Sequence, residues 1–187
     1  MRIIAGRHRG RALAALGGGD AGAHLRPTSD RVRESIFNLL LMGGHGDPVT
    51  DARVLDLFAG TGALGLEALS RGAAHVTFVD DGAKARALIR ENVARCAAQG
   101  VTKLFRRDAT RLGQNRAAPF SLVFLDPPYG KGLGERALAA ARAGGWLAPG
   151  ALVVWEEGAA PGPPEGFETL DQRRYGDTVV TLLSFSG

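Results

Sequence analysis

Five short apolar runs, alternating with stretches of helical character, constrain the fold of this chain more than anything else in it. The runs are 54–57, 76–79, 103–105, 122–125 and 152–155; the helical stretches are 63–70, 83–98, 109–116 and 133–142. Strands that alternate with helices build βαβ units, and such units assemble a mainly parallel sheet covered by helices. The tail departs from this pattern. There, 167–173 and 178–184 flank Tyr175-Gly176-Asp177, which predicts an antiparallel hairpin. Ahead of the series, Arg26-Pro27-Thr28-Ser29-Asp30 predicts the start of a helix. Val32, Ile36, Leu39 and Leu40 give that helix one apolar face, with Arg31, Glu34 and Asn38 on another. Gly43-Gly44 and Pro48 end it.

The runs share a second regularity. They end in or near an acid: Asp56, Asp80, Asp108, Asp126 and Glu156. Open parallel sheets bind ligands beyond the carboxyl ends of their strands, so these side chains are expected to line one crevice. Any one of them could equally be a helix N-cap. Their succession favours a site.

The first run enters its helix through Asp56-Leu57-Phe58-Ala59-Gly60-Thr61-Gly62-Ala63-Leu64-Gly65. The spacing Gly60-x-Gly62-x-x-Gly65, with Asp80 ending the next run, matches the dinucleotide fingerprint, so an NAD-dependent oxidoreductase has to be weighed. Two features oppose it. Asp56 would face a pyrophosphate, a costly like-charge neighbour, and no substrate domain follows the single sheet. A cationic cofactor without phosphates removes the conflict. S-adenosylmethionine carries an ammonium that Asp56 could attract directly or through water, and ribose hydroxyls that Asp80 could bind. The backbone at Ala59, Gly60, Thr61 and Gly62 can approach it closely, and Asp108, followed by Ala109, is placed to accept from the adenine amine. S-adenosylhomocysteine would be the product.

The run 122–125 leads into Asp126-Pro127-Pro128-Tyr129. This turn offers a carboxylate, two proline carbonyls without N–H groups, and a flat aromatic face. That suits a nucleobase amino group, whose two N–H bonds need acceptors while the ring stacks. The plain alternative is a Pro-Pro turn that closes a strand. The glycine loop nearby decides for a methyltransferase acting on an amine.

Net charge is +4, with an isoelectric point near 9.8. Arginine supplies most of the positive charge, since Lys84, Lys103 and Lys131 are the only lysines. Arg2, Arg7, Arg9 and Arg11 fall in an opening segment without acids, so residues 1–25 read as a basic extension. They suggest a short hairpin of Ile3-Ile4 with 11–13, with a flexible tip, ahead of a glycine-rich stretch. Such a cluster is either solvated or a nucleic-acid contact. A lone Cys96 excludes an internal disulfide, and its helical context predicts a buried, inert thiol. The four histidines lack metal-ligand spacing, so no metal is expected. The apolar stretches fall far short of a membrane span and no basic-then-apolar leader opens the chain, which predicts a cytoplasmic protein.

Three segments carry a resemblance: 26–38 (Arg-Pro-Thr-Ser-Asp-Arg-Val-Arg-Glu-Ser-Ile-Phe-Asn), 55–73, and Asp126-Pro-Pro-Tyr129. With the opening residues 2–11 and the closing residues 174–178, they resemble the bacterial 16S rRNA guanine-N2 methyltransferases of the guanine-966 type. The likeness spans nearly the whole chain, and the helix motif and the opening arm are its most specific parts. It implies a class I S-adenosylmethionine-dependent methyltransferase fold: a Rossmann-like, seven-stranded, mostly parallel sheet whose last strand is antiparallel. The methyltransferase domain would cover 26–187. It implies methylation of one guanine amine in 16S rRNA, within the 30S subunit or an assembly intermediate, by a protein expected to be a monomer. Asp126, Pro127, Pro128 and Tyr129 would do the chemistry, and Arg2, Arg7, Arg9, Arg11 and Arg31 would contact the RNA. Asp80 stands where a longer Glu is common, and Ala5 where Gly is usual. Turns of this type also occur on adenine-N6 and cytosine-N4 enzymes acting on DNA or RNA. The turn alone leaves the base open.

Overall fold

A computed structural model describes residues 1–17 and 28–187. Seven strands form one sheet in the order β3-β2-β1-β4-β5-β7-β6, with β1 Arg53–Leu57, β2 His75–Val79, β3 Thr102–Phe105, β4 Phe120–Leu125, β5 Leu147–Glu157, β6 Phe167–Tyr175 and β7 Thr178–Phe185. The pairs β1–β2, β1–β4, β2–β3 and β4–β5 are parallel, whereas β7 runs antiparallel to both β5 and β6. The four α-helices among the described residues are α1 Asp30–Met42, α2 Ala63–Ser70, α3 Ala83–Arg95 and α4 Leu133–Ala143. Ser29 caps α1 by accepting from the N–H of Val32, as its place before Asp30 suggests.

The two-residue period of the strands divides the core. Val54, Val76, Phe78, Leu122 and Phe124 face α1, α2 and α3, together with the buried Ile3 and Leu13 of the N-terminal segment. Leu55, Leu57, Val123 and Leu125 face α4, Trp146 and Trp155 on the other side. Cys96 is a buried free thiol whose pKa burial pushes up.

Two helices are shorter than the sequence suggests. The stretch 109–116 forms only a 3-10 turn, Ala109–Arg111, because Gly113 takes a positive φ of 71° and its carbonyl accepts from the Trp146 indole N–H. The helix 83–98 stops at Arg95, with Ala97 at φ 50°. The N-terminal segment pairs Arg2 with Ala12 in an antiparallel bridge, so the hairpin forms. Its tip is bound to the body of the protein. Arg7 N–H donates to the Ser70 carbonyl, His8 N–H donates to Ser70 Oγ, and a Cβ at Gly6 would overlap the Ser70 carbonyl. The glycines at 18 and 19, with Arg26 and Pro27, lie outside the described residues.

Candidate active site

Sheet register explains why the acids meet. Asp56 pairs with Phe78 on β2 and Phe124 on β4, and Phe124 pairs with Val154 on β5. Asp80, Asp126 and Glu156 each stand two residues beyond those partners. All four acids therefore project to the α1–α3 side of the sheet, near the carboxyl ends of the strands. Asp126 is half-buried and Glu156 is 2% exposed.

Asp56 lies beneath the glycine loop. Its Oδ2 accepts from the Gly65 N–H at 3.0 Å in the first turn of α2. Burial pushes its carboxyl well above the usual range; the Gly65 bond opposes this, while the charges of Asp126 and Asp80 add to it. A cation beside Asp56 would stabilise its charged form. A Cβ at Gly65 would come within 2.6 Å of the Phe78 ring and 2.7 Å of Val76, so glycine is what lets α2 lie this close to the sheet.

The loop itself is held from below. Asp80 Oδ2 accepts from Gly60 N–H at 3.0 Å, and Oδ1 accepts from Gly82 N–H at 2.9 Å. Its pKa is raised by burial, against those two bonds. Gly60 and Gly62 have φ of 60° and 78°, and Phe58, a residue with a side chain, is forced to 54°. Asp108 is placed differently from the other acids. It lies three residues beyond β3, exposed, and Oδ1 caps the 3-10 turn by accepting from Thr110 N–H and Oγ1. Those bonds lower its pKa, helped by Arg111 and Arg136. Ala109 behind it is buried.

The Asp126 turn is braced on three sides. Asp126 N–H points to the Leu57 carbonyl at 3.5 Å. The Tyr129 hydroxyl shares a hydrogen bond of 3.1 Å with Thr178 Oγ1, and the Tyr129 ring lies against the backbone at Gly158. Glu157 Oε1 accepts from Gly130 and Gly158 N–H groups. Pro127 is buried and Pro128 half-buried.

The basic segment is fixed by polar groups that sequence reasoning missed. Glu67, fully buried on α2, accepts from Ile4 N–H at 2.9 Å and Ala5 N–H at 3.1 Å. It also pairs with Arg71 at 2.9 Å and with the fully buried Arg33 at 3.6 Å. Arg33 in turn donates to the Arg2 carbonyl and to Asp30. Buried Asn92 on α3 accepts from Ala14 N–H and donates to the Ala14 and Thr61 carbonyls, joining the hairpin to the glycine loop. Arg2, Arg7, Arg9 and Arg11 all remain exposed, as does Arg31 on α1, although Arg2 donates to the Gly10 carbonyl and Arg11 to that of Arg95. A cleft of about 420 Å³ lined by Asp47, Asp51, Ser121 and Gly150 sits at the opposite, amino end of the strands. It belongs to no part of this constellation.

A sheet of this order, with a glycine loop over a buried acid and a second acid ending β2, defines a class I methyltransferase whose cofactor is S-adenosylmethionine. The same fold is found in the magnesium protoporphyrin IX methyltransferase of Synechocystis, solved with that cofactor bound (TM-score 0.62, 15% identity, 83% of this chain and 79% of that one). A family model described as Conserved hypothetical protein 95 matches residues 1–184. The ribosomal RNA small subunit methyltransferase D of Escherichia coli is 41% identical over 165 residues, 88% of this chain and 78% of that protein. A solved structure of the candidate methyltransferase yhhF from Escherichia coli superposes with a TM-score of 0.81 at 34% identity, covering 100% of this chain and 98% of that one. The chain belongs to this family of methyltransferases. The nicotinamide reading of the glycine loop is set aside.

Proposed function

We propose that the protein methylates the exocyclic N2 amine of a guanine in 16S rRNA, at the guanine-966 position, acting as a cytoplasmic monomer on the 30S subunit or an assembly intermediate. The observation that carries the reading is the strand register, which sets Asp80 and Asp126 on either side of Asp56 at the carboxyl ends of neighbouring strands. The Escherichia coli relative, named a ribosomal RNA small subunit methyltransferase, supports ribosomal RNA as the substrate. No helix among the described residues is long and apolar enough to cross a membrane.

The residues fit S-adenosylmethionine. Asp56, whose pKa burial raises, would face the ammonium, and that positive charge would favour its carboxylate form. The backbone of Ala59 to Gly62 would cradle the cofactor, Asp80 would meet the ribose, and Asp108 with Ala109 would border the adenine. When bound, the cofactor supplies a methyl group already activated by its sulfonium. The protein has to position the amine and exclude water. The guanine amine is a weak nucleophile because its lone pair is delocalised into the ring. Asp126 and the Pro127 carbonyl would accept its two hydrogens and turn the lone pair out of conjugation. Asp126 or water would then take the proton lost from the methylated nitrogen. Pro128 shapes the turn, and Tyr129 would stack on a base removed from its helix. Arg2, Arg7, Arg9, Arg11 and Arg31 would meet RNA phosphates.

Methyl-labelled S-adenosylmethionine incubated with unmethylated 30S subunits, naked 16S rRNA and DNA, followed by nucleoside analysis, tests this. N2-methylguanosine from the ribosomal samples is expected. Label in DNA as N6-methyladenine or N4-methylcytosine would overturn it.

A further inference from the structure

We infer that Thr28 and Glu156 are positioning residues for Asp126. The inference rests on the reading of Asp126 as the group that meets the base. Parallel pairing of β4 with β5 sets Leu125 against Trp155, so Asp126 and Glu156 emerge side by side on the same face of the sheet. Glu156 is 2% exposed, an unusual place for a carboxylate. The Thr28 hydroxyl lies between the two acids. Thr28 Oγ1 is 3.3 Å from Asp126 Oδ2, and 3.2 and 3.3 Å from the two oxygens of Glu156. Thr28 directly precedes the Ser29 cap of α1, so the start of that helix fixes its position.

The near-equal distances put the hydroxyl close to the bisector of the Glu156 carboxylate while leaving it within reach of Asp126. A hydroxyl has one proton to donate and lone pairs to accept with, so it bonds both acids at once when one of them carries a proton and donates it to Thr28 while Thr28 donates to the other. Glu156, rigid on the longest strand of the sheet, anchors Thr28. Thr28 then helps to hold the Asp126 carboxylate in its orientation at the catalytic turn. Misplacing a reacting group by about 1 Å can cost a hundredfold in rate, so the effect should fall on turnover rather than on cofactor affinity. The glycine loop is held by other acids, Asp56 at Gly65 and Asp80 at Gly60.

Thr28→Val removes the hydroxyl at constant shape, Thr28→Ala removes it without the β-branch, and Thr28→Ser restores it. In single-turnover assays on 30S subunits, Val and Ala should each lose about ten- to a hundredfold in kcat. Ser should stay close to wild type, and calorimetric affinity for S-adenosylmethionine should be unchanged in all three. Adding Glu156→Gln to Thr28→Val should cost less than the sum of the two single losses, because the two residues share a contact. Full activity in Val and Ala, equal loss in Ser, or additive losses in the double variant would overturn the inference. Asp126→Ala run beside them separates the two readings. If it is fully active, the role of Asp126 itself fails; if it is dead while Thr28→Val is normal, only the positioning fails.

Discussion

The catalytic end of the sheet and the N-terminal hairpin are built by opposite means. At the catalytic end the groups come from short, contiguous segments: Asp56 to Gly65 in one loop and Asp126 to Tyr129 in one turn. The strand register brings them together. The hairpin is closed by a few backbone bonds of its own, from Ile3 N–H to the Arg11 carbonyl, Gly10 N–H to that of Ile3 and Leu13 N–H to that of Met1, around the bridge between Arg2 and Ala12. Its attachment to the body comes from Glu67, Ser70, Arg33 and Asn92, all distant in sequence. The chemistry is thus assembled from local motifs, whereas the basic surface is assembled by buried polar clamps. Damage to one should leave the other measurable.

The largest effect should come from the clamp. Glu67→Ala leaves Arg33 buried beside no carboxylate on α2 and frees two N–H groups of the hairpin. Removing one partner of a buried pair typically costs about 3–5 kcal/mol. Urea denaturation should show a loss of that order, with trypsin cutting faster after Arg7 and Arg9. A variant as stable and as resistant as wild type would mean that the hairpin is held elsewhere.

Asp80→Ala comes next. It removes the acceptor for Gly60 and Gly82, so S-adenosylmethionine affinity should fall by about 1.5–3 kcal/mol in calorimetry, as for hydrogen bonds to charged groups. Hairpin protection from trypsin should not change. If both change together, the two regions are one cooperative unit.

Asp56→Asn sharpens the comparison through pH. The folded-state pKa of Asp56 is raised above the ordinary 3.8, so its contribution to stability is present below that value and lost as pH rises through the raised one. Asparagine removes this loss and keeps an oxygen for Gly65. The stability difference should therefore move in favour of the Asn variant as pH increases from 4 to 8, while its cofactor affinity drops. A constant difference would show that Asp56 ionises as freely in the folded protein as in the unfolded chain.

The smallest effect concerns Tyr129. Tyr129→Phe deletes the bond to Thr178, worth about 0.5–1.5 kcal/mol, and keeps the ring. Most of the kcat should survive. Tyr129→Ala should lose about ten- to a hundredfold in kcat/KM if the ring stacks on the base. Equal losses would assign the role to the hydroxyl and its contact with β7.

These contrasts also explain what the sequence disclosed. The strands, the antiparallel tail and α2 follow from period and turn chemistry, and the acids at Asp56, Asp80 and Asp126 were visible because strand ends carry ligands in such sheets. Asp108 was legible as an acid near a strand end, but its capping of a 3-10 turn depended on Gly113 and Trp146, which no local pattern joins to it. Thr28 stood inside a noticed motif, yet its hydroxyl acquires meaning only across 98 and 128 residues of chain, at Asp126 and Glu156. Glu67 and Asn92 read as ordinary helix residues. A buried polar side chain has no periodic signature until its partner is placed.

The central claim is that methyl transfer is organised at Asp126, separately from cofactor binding. Asp126→Ala, assayed by calorimetry with S-adenosylmethionine and by single-turnover transfer to 30S subunits, tests it most directly. The account predicts wild-type cofactor affinity with transfer abolished; transfer at the wild-type rate would contradict it.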